Sequence, residues 1–207
     1  MIEIYYAPPS IYGRKVLAVL EEKGLDYEIK PMTFSGEDHK KEEYLKLNPN
    51  GEIPTLVDDG MVIYESTAIC EYLNDEYVEP ALMPEDSYGR ALVRMIDDYC
   101  DLHFYKALIK CLIKNKIQGQ PLEDADKAPV SAALKRIEAY LGTQEYVAGK
   151  FSLADLAVLT GLVTLDALGL GDLLTSASVK KYYERLKKRP GFKGAAMFKV
   201  DAVPAKA

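Results

Sequence analysis

Histidine and cysteine are scarce: the 207-residue chain holds only His39 and His103, and only Cys70, Cys100 and Cys111. Two histidines leave little room for a metal site or a histidine-dependent triad. The cysteines are odd in number, widely spaced and form no Cys-x-x-Cys pair, which argues against a disulfide framework or a zinc site. Each lies in a helix-like pattern beside apolar neighbours and is expected to be a small buried hydrophobe. Long apolar runs are missing too, and the opening Met1-Ile-Glu-Ile-Tyr-Tyr6 lacks the basic-then-apolar plan of a signal peptide. A cytoplasmic chain with no membrane partner is therefore expected. There is no excess of basic charge: the net charge of -6 argues against a nucleic-acid partner, which needs a basic footprint to displace counterions. Internal repeats and low-complexity tracts are absent. What remains is ordinary, with 48% hydrophobic and 28% charged residues in a chain long enough for one domain or two modest ones.

The richest stretch is Asn48-Pro-Asn-Gly-Glu-Ile-Pro-Thr-Leu-Val57, followed by Asp58-Asp59-Gly60 and Val62-Ile-Tyr-Glu-Ser66. Pro54 stands at the mouth of a short β-rich run, where its missing N–H restricts it to an edge or a strand's first residue. X-Pro bonds take the cis form cheaply, and a cis Ile53-Pro54 bond would leave the Ile53 N–H and C=O turned outward for a ligand. Asp58-Asp59-Gly60 reads as a tight hairpin turn. Glu65-Ser66 opens a helical pattern through Ala68, Ile69, Tyr72 and Leu73. A strand edge, a hairpin and a helix N-terminus within so few residues define a candidate binding site.

Around it, the first third alternates strand and helix signals. Strands are expected at Ile2–Tyr6 and Tyr27–Pro31. A helix through Val16–Leu20 ends at Lys23-Gly24, a short helix covers roughly 37–47, and another runs from Glu65 to about Tyr77. The helical crossover makes the first two strands parallel, and the last two form an antiparallel hairpin. The polar, proline-bearing segment 78–87 reads as a linker between a domain at 1–77 and a helical domain at 88–207. In the latter, helices are expected from Tyr88 to about Lys116, from about Glu123 to Leu141, after Phe151-Ser-Leu-Ala-Asp155, and last from about Val179 to Lys188. Ser152 and Asp155 have capping-box spacing, and the helix they open is apolar nearly all round, so it should form the buried centre of the second domain.

These parts together resemble the soluble, cytosolic-type glutathione S-transferases over essentially the whole length. The resemblance rests on Asn48-Pro49 with Ile53-Pro54, on Glu65-Ser66-x-Ala68-Ile69-x-x-Tyr72-Leu73, and on Phe151-Ser152-Leu-Ala-Asp155. It implies an α+β fold: a thioredoxin-like α/β domain that binds glutathione, followed by an all-α domain. The run Gly36 to Pro49 looks most like the theta and phi classes, and the opening Met1 to Pro8 more like a bacterial group called nu, whose members can reduce disulfides with glutathione.

The resemblance implies that Glu65 and Ser66 hold the γ-glutamyl end, that the Ile53 backbone before Pro54 pairs with the cysteinyl portion, and that His39, with Lys40 or Lys41, meets the glycyl carboxylate. The plainer alternatives are a helix cap for Glu65-Ser66 and a solvated charged face for His39-Lys40-Lys41. The thiol needs a hydroxyl donor, and the candidates are Ser10, Tyr12, Tyr5 and Tyr6. Ser10 is chosen because its spacing to Val16 matches serine-using relatives; its alternative is a turn or helix-start residue. Tyr12, His103 and Phe104, with Tyr105, are expected to line a pocket for a small hydrophobic electrophile, and Asp97 or Asp98 to approach a glutathione bound in a partner subunit. The resemblance thus implies a homodimeric glutathione S-transferase with glutathione as co-substrate and no tightly bound cofactor. A glutathione-dependent disulfide or peroxide reductase, or a non-catalytic regulatory module of the same fold, are the alternatives.

Overall fold

Alternation of buried Ile2, Ile4 and Tyr6 with half-buried Glu3 and Tyr5 makes β1 (Ile2–Tyr6) a strand with one face on the core. The computed structural model, which describes residues 1–197, builds around it a four-stranded sheet of order β2-β1-β3-β4. β2 (Tyr27–Pro31) runs parallel to β1; β3 (Thr55–Asp58) is antiparallel to β1, with Ile4 opposite Leu56, and forms a hairpin with β4 (Met61–Tyr64). The two hairpin residues, Asp59 and Gly60, have φ of 46° and 87°, the paired positive values that a two-residue turn needs to match strand twist.

The crossover from β1 to β2 is α1 (Ile11–Lys23), capped by Ser10 and ended by left-handed Gly24 (φ 63°). Its Val16–Leu20 run is fully buried. The stretch 37–47 is not one helix. The Asp38 carboxylate accepts bonds from the Thr33 N–H and hydroxyl, tying off a 3-10 turn at Asp38–Lys40; extended Lys41 (ψ 144°) then separates it from α2 (Glu42–Leu45). After the hairpin comes α3 (Ser66–Glu76). The segment between α3 and the next helix is anchored, because Leu82 and Met83 are buried. The Leu82 N–H donates to Asn74 Oδ1 at 2.8 Å, and its carbonyl accepts from Leu153 N–H at 2.9 Å.

The rest of the described chain is helical: α4 (Ser87–Tyr99), α5 (Lys106–Leu112), α6 (Asp124–Leu141), α7 (Leu153–Ala167), α8 (Ala177–Leu186) and α9 (Gly191–Ala195). The helix through α4 and α5 is continuous but widens into π-helical turns at Cys100–Tyr105 and Ile113–Ile117, which apolar periodicity does not reveal. The region expected to be helical extends to 207, of which 198–207 lie outside the described residues. α7 is the buried centre, with both Asp155 oxygens bonded. α8 is not the last helix. Past Arg189-Pro190, α9 lies on α1 so closely that a Cβ at Gly194 would stand 2.3 Å from the Leu17 carbonyl. Arg14, buried in this seam, donates to the Ala195 carbonyl and the Thr164 hydroxyl, and burial lowers its pKa to about 10. All three cysteines are buried, as expected. No helix among the described residues is long and apolar enough to cross a membrane.

Candidate functional site

The site is assembled by the loop 48–54, whose shape is set from beneath. Buried Asn48 donates its amide to the Glu52 carbonyl (2.9 Å) and accepts the Asn50 N–H (3.1 Å). Tyr44 donates to the same Glu52 carbonyl and lies 2.7 Å from Thr55 Oγ1. The Ile53 side chain packs with Ala7, Met32 and Tyr44, so its contribution outward is backbone only. The Ile53–Pro54 bond is cis, and among the described residues no protein group accepts the Ile53 N–H.

Ser10 faces this backbone from the N-terminus of α1. Its Oγ accepts the Gly13 N–H at 3.0 Å and donates to the Ile53 carbonyl at 3.4 Å. Of the competing tyrosines, Tyr6 and Tyr12 have partners for their hydroxyls. The Tyr6 hydroxyl is turned to the carbonyls of Pro8 and Met197, with burial raising its pKa. The Tyr5 ring sits 5.7 Å from that of Tyr44. Half-buried Tyr12 donates to the Asp101 carbonyl at 3.3 Å and sets its ring edge-on to Tyr105, and burial raises its pKa.

Glu65 precedes α3 with φ 71° and ψ 114°, a conformation costly for a residue with a Cβ and of the kind that collects at ligand sites. Its Oε1 accepts from the Asn50 amide at 3.2 Å, and Ser66 begins the helix, where unpaired N–H groups and the dipole favour an anion. On the other flank, Lys40 Nζ donates to the Gly51 carbonyl at 2.9 Å. Gly51 has φ 60°, and a Cβ there would stand 2.9 Å from the His39 carbonyl, so only glycine permits this approach. His39 sets its ring 5.4 Å from that of Phe34, and its buried Nδ1 has no protein partner. Burial, with Lys40 nearby, lowers the His39 pKa. Lys41 turns away to pair with Asp38.

The loop therefore links Ser10 through Ile53, His39 and Lys40 through Gly51, and Glu65 through Asn50. Phe104 does not line an open pocket: it is 0% exposed and fills the space above Gly161, where a Cβ would come within 2.2 Å of its ring. Tyr105 is equally buried, its hydroxyl on the Ala157 carbonyl. Exposed His103 stacks its ring on Tyr99 at 4.8 Å. Asp97 is buried against Lys15, whereas Asp98 is exposed. Sequence reading missed Asn50, Gly51, buried Lys15 and Thr67, whose hydroxyl accepts from the Lys15 ammonium at 3.0 Å. The first two stand inside the Asn-Pro-Asn-Gly run, which signals a turn; the others carry no local signal.

A four-stranded mixed sheet with a cis-proline loop, followed by a run of packed helices, defines a two-part α+β protein. Residues 9–76 match the glutathione S-transferase N-terminal domain, and residues 100–190 match the glutathione S-transferase C-terminal domain. The chain is similar to Glutathione S-transferase F14 of Arabidopsis thaliana, with 35% identity over 198 residues covering 88% of this chain and 78% of that protein. Among solved structures it is similar to a delta-class glutathione transferase of Nilaparvata lugens (TM-score 0.86, 30% identity, 98% of each chain). It is also similar to glutathione transferase F7 of Populus trichocarpa (TM-score 0.83, 26% identity, 99% of this chain and 100% of that one). The chain belongs to the glutathione S-transferase family and is an enzyme of that kind.

Proposed function

We propose that the chain conjugates reduced glutathione to small hydrophobic electrophiles, with the Ser10 hydroxyl stabilising the thiolate. The observation that carries this reading is the Ser10 geometry: Oγ takes the Gly13 N–H as acceptor, while its own proton rests on a long 3.4 Å contact to Ile53. That proton is available to a stronger acceptor. A free thiol with pKa near 8.5 is only a few per cent thiolate at neutral pH, and a downward shift of about two units is worth roughly 2.7 kcal/mol. A charge-assisted bond from Ser10 and the N-terminus of α1 supply stabilisation of this order.

In this reading, Glu65 pairs with the γ-glutamyl ammonium, Ser66 and the α3 N-terminus with its carboxylate, and the Ile53 backbone with the cysteinyl portion. The unpartnered His39 Nδ1, with Lys40, faces the glycyl carboxylate. The thiolate attacks the electrophilic carbon, the C–S bond forms and the leaving group departs with its electron pair. Tyr12 remains the lining residue for the electrophile. The chain works as a cytoplasmic homodimer of phi-like class, the N-terminal domain of one subunit facing the helical domain of the other, with segment 78–87 linking the two domains of each chain. Titration calorimetry with glutathione tests the assignment. Absent binding, or binding unchanged in both Glu65→Ala and Ser66→Ala, rejects it.

A further inference from the structure

Behind Ser10 on the same helix, Lys15 is withdrawn from water, its side chain 1% exposed. Its ammonium lies 3.0 Å from Asp97, 2.8 Å from Asp101 and 3.0 Å from the Thr67 hydroxyl, one partner for each proton. The Thr67 hydroxyl in turn donates to Asp97 Oδ2 at 2.6 Å. Burial opposes the charge on Lys15, but the two carboxylates outweigh it and hold its pKa above the usual lysine value. Asp101 is raised by its own burial, against the pull of Lys15.

Buried clusters of this kind contribute little net stability compared with well-packed apolar replacements; what they supply is direction. Here the directions are specific. Lys15 stands on the helix capped by Ser10. Thr67 follows Ser66 in the first turn of α3. Asp101 lies in the π-helical turn, and its carbonyl accepts the Tyr12 hydroxyl. One ammonium thus fixes the N-terminal turn of α3 against α1 and against the helical half.

We infer that Lys15 and Thr67 are positioning residues for glutathione. They touch no substrate, but they hold the Ser66 N–H and hydroxyl at a set distance from the Ser10 hydroxyl, so that the γ-glutamyl end and the thiol are seated together. The inference rests on the roles of Ser10 and Ser66 proposed above. A tether on the γ-glutamyl seat acts on ground state and transition state alike, so its loss moves KM rather than kcat.

Lys15→Met strands two buried carboxylates and can fail to fold, so the decisive variant is Thr67→Val, which keeps the Lys15–Asp97–Asp101 pairs and nearly the same shape. With a chloro-nitroaromatic as second substrate, Thr67→Val should raise the glutathione KM about five- to twenty-fold, with kcat and the aromatic KM within about twofold. Thr67→Ser should restore the wild-type value. An unchanged glutathione KM in Thr67→Val, a loss confined to kcat, or no rescue by serine overturns the inference. Ser66→Ala, run alongside, separates the failures. If it weakens glutathione binding while Thr67→Val does not, only the positioning role falls; if neither does, the α3 seat itself is misassigned.

Discussion

The Ser10 hydroxyl reaches two backbone groups at once, the Gly13 N–H of its own helix at 3.0 Å and the carbonyl of Ile53, 43 residues away, at 3.4 Å. One lone pair serves the helix cap, and the proton faces the strand-edge backbone. A hydroxyl has capacity for both, since it combines one donor with two acceptor sites. Capping and thiol activation, which look like rival readings of a serine after Pro8-Pro9, are therefore compatible in one side chain.

The two roles separate by mutation. Ser10→Ala should lower turnover with a chloro-nitroaromatic by about one to two orders of magnitude, or roughly 1.4 to 2.7 kcal/mol, while glutathione affinity stays close to native. It should also cost about 1 kcal/mol of stability through the lost cap. Ser10→Asp keeps an acceptor for Gly13 but offers the sulfur no proton, so it should hold its melting temperature and still lose turnover. Tyr6→Phe should turn over normally. Wild-type protein that reduces a small mixed disulfide much faster than it conjugates the aromatic, with that rate surviving Ser10→Ala, would show that conjugation is the wrong reaction.

The pH response of binding reports on His39. Burial and Lys40 lower its pKa, so it is neutral at pH 7. A carboxylate held beside it favours the protonated ring. Relative to His39→Gln, wild-type glutathione affinity should therefore gain about three- to ten-fold as pH falls from 7.5 to 5.5, on top of the loss that protonating a Ser10-stabilised thiolate brings to both proteins. Calorimetry across that range on wild type and His39→Gln checks this; identical pH slopes in the two proteins exclude His39.

Asp155 governs stability. Its two oxygens accept from the Val147 N–H, the Tyr182 hydroxyl, the Ser152 N–H and the Ser152 hydroxyl, at 2.6 to 3.2 Å. Asp155→Ala strands these buried donors and should cost about 3–5 kcal/mol in denaturant unfolding. A loss below 1 kcal/mol would mean that the segment refolds around the gap.

Association is testable on α4 and the π-helical turn after it, where Tyr88, Met95 and Leu102 are 78%, 51% and 53% exposed at seven-residue intervals, one stripe on one face. Sedimentation equilibrium should give the mass of two chains at micromolar concentration, and Met95→Asp should shift it toward one. A wild-type monomer would remove the homodimer from the proposal.

What could be read in the sequence was local. The alternation in Ile2–Tyr6, the Asp59-Gly60 turn, Gly24 after a basic last turn and the Ser152–Asp155 spacing each encode their structure within a few residues. The site motifs were legible for the same reason: Ile53-Pro54 and Glu65-Ser66 are consecutive. What escaped depends on distant partners. Phe104 and Tyr12 are both aromatic residues in helices, and only the approach of Gly161 decides that Phe104 is core. Lys15 resembles any helix lysine until Asp97 and Asp101 fold onto it. The five-residue α9 is too short to show a period, and it exists because Gly191 and Gly194 let it settle on α1.

That seam bears on how the enzyme is made. α1 presents Ser10 at one end, yet its flank is covered by α9, which is synthesised after every other described helix, and Glu22 near its far end receives Arg189 and the Gly191 N–H. The sheet and its crossover helix can form early in synthesis, since domains generally fold from the N-terminal side. The helix that carries the proposed thiol activator nevertheless stays uncovered until Gly191–Ala195 have been made. A chain cut short of residue 190 would thus hold every residue of the candidate site with an unfinished wall behind it.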